Sequence, residues 1–408
     1  MKKYSLIVLL FLGCVQKIYA STSAELKLGI WRATLDSPGG KLPFGLDLEP
    51  AAKGTFTVYI LNGKERLKMD GGQFAGDSLH LSMSIFEAEI VAKVSGNSMT
   101  GYWQRKRIGA TDLRLPFHAE FGKNYRFVPD ASVASQQVTG KWATQFYADK
   151  DTSVAVGVFE QKGNRVNGTF LTTTGDYRYL DGNVVGDSLF LSTFDGTHVY
   201  LFKTKVTGNQ MVGGFYYSVA GFELMKAQKD PKAALPDANT LTYLKKGYER
   251  LSFSFPNLQG KPISIDDTRY KGKVIIIQIM GSWCPNCMDE TNFLSPWYKR
   301  NRQRGVEIIG LAYERSADFK VSVPKLERLK QRFAIEYEVL LAGNNDKTDA
   351  SSTLPMLNRV LGFPTTIFID KQGKVRQIHT GFAGPGTGKY YDKFVEEFNR
   401  LIDKLVAE

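Results

Sequence analysis

The stretch GSWCPNCMDE, Gly281 to Glu290, follows the apolar run KVIIIQIM, Lys273 to Met280. A continuous run of β-branched residues reads as a strand buried on both faces. The residues after it open a helix, with Pro285 at a first-turn position that needs no N–H. Cys284 and Cys287 therefore stand one helical turn apart where a buried strand meets a helix. Such a pair can hold a metal, staple the fold, or trade electrons with other thiols.

A zinc site needs four ligands, usually Cys or His. The histidines, His80, His118, His198 and His379, show no ligand spacing, and no second C-x-x-C exists, so no metal is expected. A disulfide across so short a loop removes little chain entropy. Redox chemistry remains. At a helix N-terminus the unpaired N–H groups and the dipole favour a thiolate, which is the attacking species. Cys284 is the expected nucleophile and Cys287 the thiol that resolves its mixed disulfide.

Working outward, the chain downstream alternates strands and helices. VEIIGLAYE and TTIFID read as strands, as does VRQIHTG beyond Lys371-Gln372-Gly373. CMDETNFLSPWYKRNRQR reads as a helix interrupted near Pro296. SVPKLERLKQRFA and STLPMLNRVLG read as helices, the latter ending at Gly362, and KYYDKFVEEFNRLIDKLVAE as a final amphipathic helix. This is an α/β architecture over residues 249–408. GPGTGKYY, Gly384 to Tyr391, lacks the first glycine and the hydroxyl of a phosphate loop and reads as a glycine-rich turn.

Upstream, KAQKDPKAALPDAN is polar and holds two prolines, placing a linker at 229–248. Before it the chain repeats. Gly29-Ile30-Trp31 pairs with Gly140-Lys141-Trp142, Asp70-Gly71 with Asp181-Gly182, GDSLHLS with GDSLFLS, and VSGNSMTGYW with VTGNQMVGGF, all 110–112 residues apart. Ordered blocks at one offset indicate a duplicated unit, residues 21–128 and 136–228. Each unit alternates polar and apolar residues between recurrent turn signals and reads as about eight short strands. Meanders of that size close to hide their edges, so two small antiparallel barrels are expected, with packed open sheets or one shared barrel as alternatives.

The first residues, MKKYSLIVLLFLGCVQKIYA, carry a basic start, an apolar stretch and a small-residue end, the pattern of a secretory signal over 1–20. Lipidation at Cys14 is the alternative, since FLGC resembles a lipobox. Export implies the periplasm or cell envelope, and leaves Cys284 and Cys287 as the only cysteines of the mature chain. A secreted chain of 408 residues with one pair is not held together by disulfides. The formal charge of +12 falls to +9 without Lys2, Lys3 and Lys17, a balance compatible with membrane association. Arg105-Lys106-Arg107 is the densest basic cluster, and no nucleic-acid motif accompanies it.

Trp283-Cys284-Pro285-Asn286-Cys287 after a buried strand resembles the thioredoxin-fold motif. Its context resembles the TlpA/ResA-like branch of exported thiol-disulfide oxidoreductases. The likeness runs from Leu251 to Glu408 and includes FPNLQGKPISIDDTRYKGK, the long segment Ser316 to Leu357, and Gly362-Phe363-Pro364-Thr365-Thr366. The resemblance implies a cis proline at Pro364 facing the cysteines, with Phe363 offering backbone hydrogen bonds to a substrate strand. It implies that Glu290 moves the proton of the resolving thiol and that Trp283 and Pro285 border the bound substrate. The buried aspartate of thioredoxin itself is replaced here by Gln278, which cannot accept a proton as a carboxylate does.

The reading is a multidomain protein: an all-β duplicated N-terminal region and a C-terminal α/β thioredoxin fold. Its implied activity is reduction of disulfides in envelope proteins, with no cofactor and with an upstream membrane thiol-reductant donor. The alternatives are a ligand- or partner-binding envelope protein with an auxiliary thioredoxin domain, and a disulfide oxidant or isomerase.

Overall fold

A computed structural model describes residues 26–52, 55–107, 109–129, 134–149 and 151–408; the expected signal segment and Cys14 lie outside them. The chain is multidomain, with a mostly β N-terminal region followed by a thioredoxin-like fold. In the β-region, alternation decides which face turns inward. In β1 (Gly29–Ser37), Trp31, Ala33 and Leu35 alternate into the core and are fully buried.

The first sheet has nine antiparallel strands. After β1 come β2 (Gly40–Pro50), β3 (Phe56–Asn62), β4 (Glu65–Lys68), β5 (Gly71–Ala75), β6 (Ser78–Met83), β7 (Ala88–Ser95), β8 (Ser98–Arg105) and β9 (Leu113–Phe121). Their order is β4-β3-β2-β1-β9-β8-β7-β6-β5. The end strands β4 and β5 meet through Met69 and Asp70, whose N–H groups donate to Val58 of β3 and Ser82 of β6. The ladder thus curls into a barrel-like shape and leaves little free edge.

The second sheet also has nine strands: β10 (Gly140–Tyr147), β11 (Thr152–Lys162), β12 (Arg165–Thr172), β13 (Gly175–Asp176), β14 (Leu180–Val185), β15 (Ser188–Phe194), β16 (Val199–Thr207), β17 (Gln210–Tyr217) and β18 (Gly221–Lys229). Here β11 pairs with both β10 and β12, so eight strands close, and β13 is a short strand appended to β12. Trp142 fills this barrel as Trp31 fills the first. Each indole N–H donates to the carbonyl four residues earlier, Val138 and Lys27. Arg126, in the connector between barrels, bonds Asn62 of one and Ser192 of the other.

The C-terminal sheet is ordered β23-β22-β21-β24-β25, comprising β21 (Val274–Met280), β22 (Val306–Glu314), β23 (Glu338–Asn344), β24 (Thr365–Ile369) and β25 (Val375–Thr380). β21 and β24 are buried along their whole length. Helix α1 (Pro285–Asn301) packs on α4 (Lys389–Ala407), with Phe293 and Trp297 edge-on to Phe398 at 5.0 Å. The interruption expected at Pro296 does not occur: α1 runs through it, because buried Leu294, Trp297 and Tyr298 hold both sides in place. Helix α2 (Phe319–Phe333) likewise contains Pro324.

The helix expected over STLPMLNRVLG is absent. Helix α3 (Lys347–Thr353) ends before Pro355, and the residues after it bond the inter-domain segment instead. Lys245 N–H donates to Met356 O at 2.8 Å and Asn358 N–H to Tyr243 O at 2.9 Å. Pro355 disfavours helix in the residue before it, and these pairings offer the backbone another set of partners. Among the described residues no helix is long and apolar enough to cross a membrane.

Candidate active site

The site forms where β21 runs into α1. Cys284 is the N-cap of α1 and is joined to Cys287 as a disulfide. The Cys287 N–H points at Cys284 Sγ at 3.2 Å, and the Phe363 carbonyl oxygen lies 3.6 Å from the same sulfur. The Phe363–Pro364 peptide bond is cis and faces the cysteines. Cys284 is 5% exposed and Cys287 fully buried, so the pair is largely shielded from solvent. Pro285 occupies the first helical position. The Trp283 indole donates to Tyr313 O at 2.8 Å and stands edge-on to Phe363 at 5.5 Å, beside the residue whose carbonyl meets Cys284.

Glu290 lies one turn beyond Cys287 on the same face of α1, fully buried. The β21–β24 register sets Gln278 opposite Thr366, and both reach this carboxyl. Gln278 Nε2 donates at 2.9 Å and Thr366 Oγ1 at 2.5 Å. Tyr337 donates in turn to Gln278 Oε1 at 3.2 Å. Burial pushes the Glu290 pKa up to about 7, against the pull of its two hydrogen bonds. The residue at 278 therefore supplies no proton acceptor but orients the one at 290. A carboxyl titrating near neutrality beside a thiol pair can take or return a thiol proton.

Two further features were not read from the sequence. Glu314, at the end of β22, accepts from Ser282 N–H at 2.6 Å and Ser282 Oγ at 2.7 Å, fixing the turn that precedes Trp283. Its only sequence signal is a lone carboxylate closing an apolar strand. Asp289, on α1, is bound by Arg178 of the second barrel at 2.7 Å. The same buried guanidinium reaches Glu65 of the first barrel at 2.5 Å and Asp195 at 3.4 Å. Burial raises the Asp289 pKa against the pull of Arg178, with Asp176 and Glu65 adding to the rise. No local pattern announces a cluster that joins residues as far apart as Glu65 and Asp289. Among the described residues no group of acidic, His and Cys side chains could hold a metal ion.

Residues 247–378 match the AhpC/TSA family. The thiol-disulfide oxidoreductase ResA of Geobacillus thermodenitrificans is 29% identical over 131 residues, 32% of this chain and 66% of ResA. ResA of Bacillus subtilis is 27% identical over 138 residues, 34% of this chain and 69% of that one. The thiol:disulfide interchange protein DsbE of Pseudomonas aeruginosa is 29% identical over 156 residues, 38% of this chain and 77% of DsbE. A thioredoxin-family thiol:disulfide interchange protein from Chlorobium tepidum aligns at 22% identity and a TM-score of 0.30, covering 40% of this chain and 98% of that one. The chain thus spans about two thirds of the length of the first curated relatives it matches. The β-region stands outside the family match. The C-terminal region thus has a thioredoxin-like fold and is similar in sequence, over residues 247–378, to the AhpC/TSA family and to the ResA and DsbE thiol-disulfide oxidoreductases.

Proposed function

We propose that this chain is an exported thiol-disulfide oxidoreductase that reduces disulfides of envelope proteins through Cys284 and Cys287. The observation that carries this reading is the disulfide at the N-terminus of α1, facing the Phe363–Pro364 loop and backed by Glu290. In the reduced state the Cys284 thiolate attacks a substrate disulfide. One substrate sulfur bonds to Cys284 and the other leaves as a thiolate. Cys287, its proton passed to Glu290, then attacks Cys284 Sγ and expels the second substrate thiolate. The substrate gains two electrons and the pair becomes the disulfide. Phe363 offers its backbone to the substrate strand, and Trp283 and Pro285 border it.

Burial, as well as the resemblance, supports the reducing direction. A thiolate in apolar surroundings is disfavoured, and a neutral disulfide is not. Full burial of Cys287, with the Glu290 carboxyl on the same face, favours the oxidised pair and so makes the reduced one a good donor. Regeneration needs an upstream thiol donor. Export over residues 1–20, the envelope as the place of action, and duplication of a β-unit over 21–128 and 136–228 belong to the same reading. So do a linker at 229–248 and the catalytic domain at 249–408.

The test is substrate trapping. Cys287→Ser should accumulate a mixed disulfide between Cys284 and a protein disulfide, and Cys284→Ser should form none and lose insulin reduction. If Cys284→Ser keeps wild-type reductase activity, the reading is wrong.

A further inference from the structure

The rim of a thioredoxin-fold site is built by the C-x-x-C turn, the loop before the cis proline and the loop after the last strand. Here all three carry a passenger from the second barrel. The β12–β13 hairpin turns at Thr173 and Thr174, and its tip lies on Asn286, Gly362 and Gly381 together. A Cβ on Gly362, the residue before Phe363, would overlap the Thr174 side chain. A Cβ on Gly381 would stand 2.8 Å from the Thr174 carbonyl carbon. Gly175 leaves room for the Asn286 amide, whose Nδ2 donates to Asp176 O at 3.4 Å. The Asp176 carboxylate accepts from Gly384 N–H at 2.7 Å and from Arg178 N–H at 2.6 Å, locking the hairpin to the loop after β25. The tip is braced internally as well, with Thr172 Oγ1 donating to Gly175 O at 3.0 Å.

We infer that Thr172–Asp176 is a specificity-determining element. It occupies the rim against which a protein substrate's strand would lie, so a protein disulfide reaches Cys284 only by displacing it. A low-molecular-weight disulfide, which needs no rim contacts, approaches the sulfur without that competition. This rests on the exchange reading above. The chemistry is unchanged: the Cys284 thiolate bonds one substrate sulfur, the other leaves, and the pair gives up two electrons.

The test compares two substrates on the full chain reduced with dithiothreitol and freed of it. Single-turnover rates are measured with insulin, a protein disulfide, and with hydroxyethyl disulfide, for wild type and for a variant with Thr172–Gly175 replaced by Asn-Gly. Removing the Thr174 tip that lies on Gly362 and Gly381 takes away packing and hydrogen bonding of a size that corresponds to about tenfold. The insulin rate should therefore rise by about that factor while the hydroxyethyl disulfide rate stays the same. The T173G/T174G double variant, which trims the tip and keeps the backbone, should shift the same ratio in the same direction and serves if the shortened hairpin does not fold. A wild type active on hydroxyethyl disulfide, with an insulin ratio unchanged in the variants, overturns this inference alone. A wild type inert toward both overturns the exchange reading and the inference with it.

Discussion

In the proposed mechanism, Glu290 is the residue on which the second exchange step turns. Its carboxyl titrates near 7 in the folded chain, against an ordinary value of 4.5, and burial is the cause. The folded state therefore holds a proton that the unfolded state has released between these values. Stability is unaffected below pH 4.5 and falls as pH rises toward 7, by about 3 kcal/mol in all. Glu290→Gln should abolish this slope, so denaturation of the variant should show its largest gain over wild type above pH 7. In the proposed mechanism the same substitution removes the proton acceptor for Cys287. Resolution of a preformed Cys284 mixed disulfide should slow by about a hundredfold, and its rise with pH through neutrality should disappear. An unchanged pH profile would assign Glu290 to packing alone. Glu290, three residues after Cys287, was singled out by the resemblance. That Gln278 orients it was not legible, because the pairing of β21 with β24 joins residues far apart in the chain.

At the scale of elements, the legible features were those with a period. β21 declared itself as an apolar run broken only by Gln278, and the N-terminal strands by alternation between turn signals. What escaped depended on partners. Pro296 sits inside a helix that tertiary packing holds together, and the residues after Pro355 bond the inter-domain segment instead of their own helix. Closure was expected from the size of the meanders, but the strands and residues that make it were not. The second sheet closes through β11–β12, whereas the first curls through Met69 and Asp70. The buried tryptophans fill these barrels. Trp142→Ala should destabilise the chain by about 3–5 kcal/mol through the cavity it leaves. Trp142→Phe, which chiefly loses the hydrogen bond to Val138, should cost about 1–3 kcal/mol. Chemical denaturation followed by tryptophan and tyrosine emission would separate the two. Equal losses would mean that the indole's apolar volume contributes little.

Across the whole molecule, the redox domain is fastened to both barrels. Lys325 pairs with Glu87 of the first at 3.0 Å, and Arg332 with Asp70 and the Lys68 carbonyl. Arg178 ties Asp289 of α1 to Glu65 and Asp195, one from each barrel. Removing that guanidinium takes the cation from Asp289 and leaves Glu65 with Asn62 and Asp195 with His198. Arg178→Met should cost about 3–5 kcal/mol at pH 8, and less at pH 5, where the freed carboxylates can take up protons. Calorimetry should show the barrels and the redox domain separating into distinct transitions. A single transition unchanged in either buffer would show that the cluster does not couple the domains.

The central claim is that Cys284 and Cys287 form a reversible donor couple, and a redox titration tests it most directly. The purified protein would be equilibrated in glutathione buffers of graded potential, acid-quenched, and its free thiols alkylated and counted. The account predicts a single two-electron transition, about 30 mV per tenfold change in the ratio of forms, centred near the thioredoxin range at about −270 mV. A pair that stays oxidised or reduced throughout would contradict the claim of exchange. A midpoint near about −120 mV would contradict the reducing direction, and the pair would be one that donates disulfides.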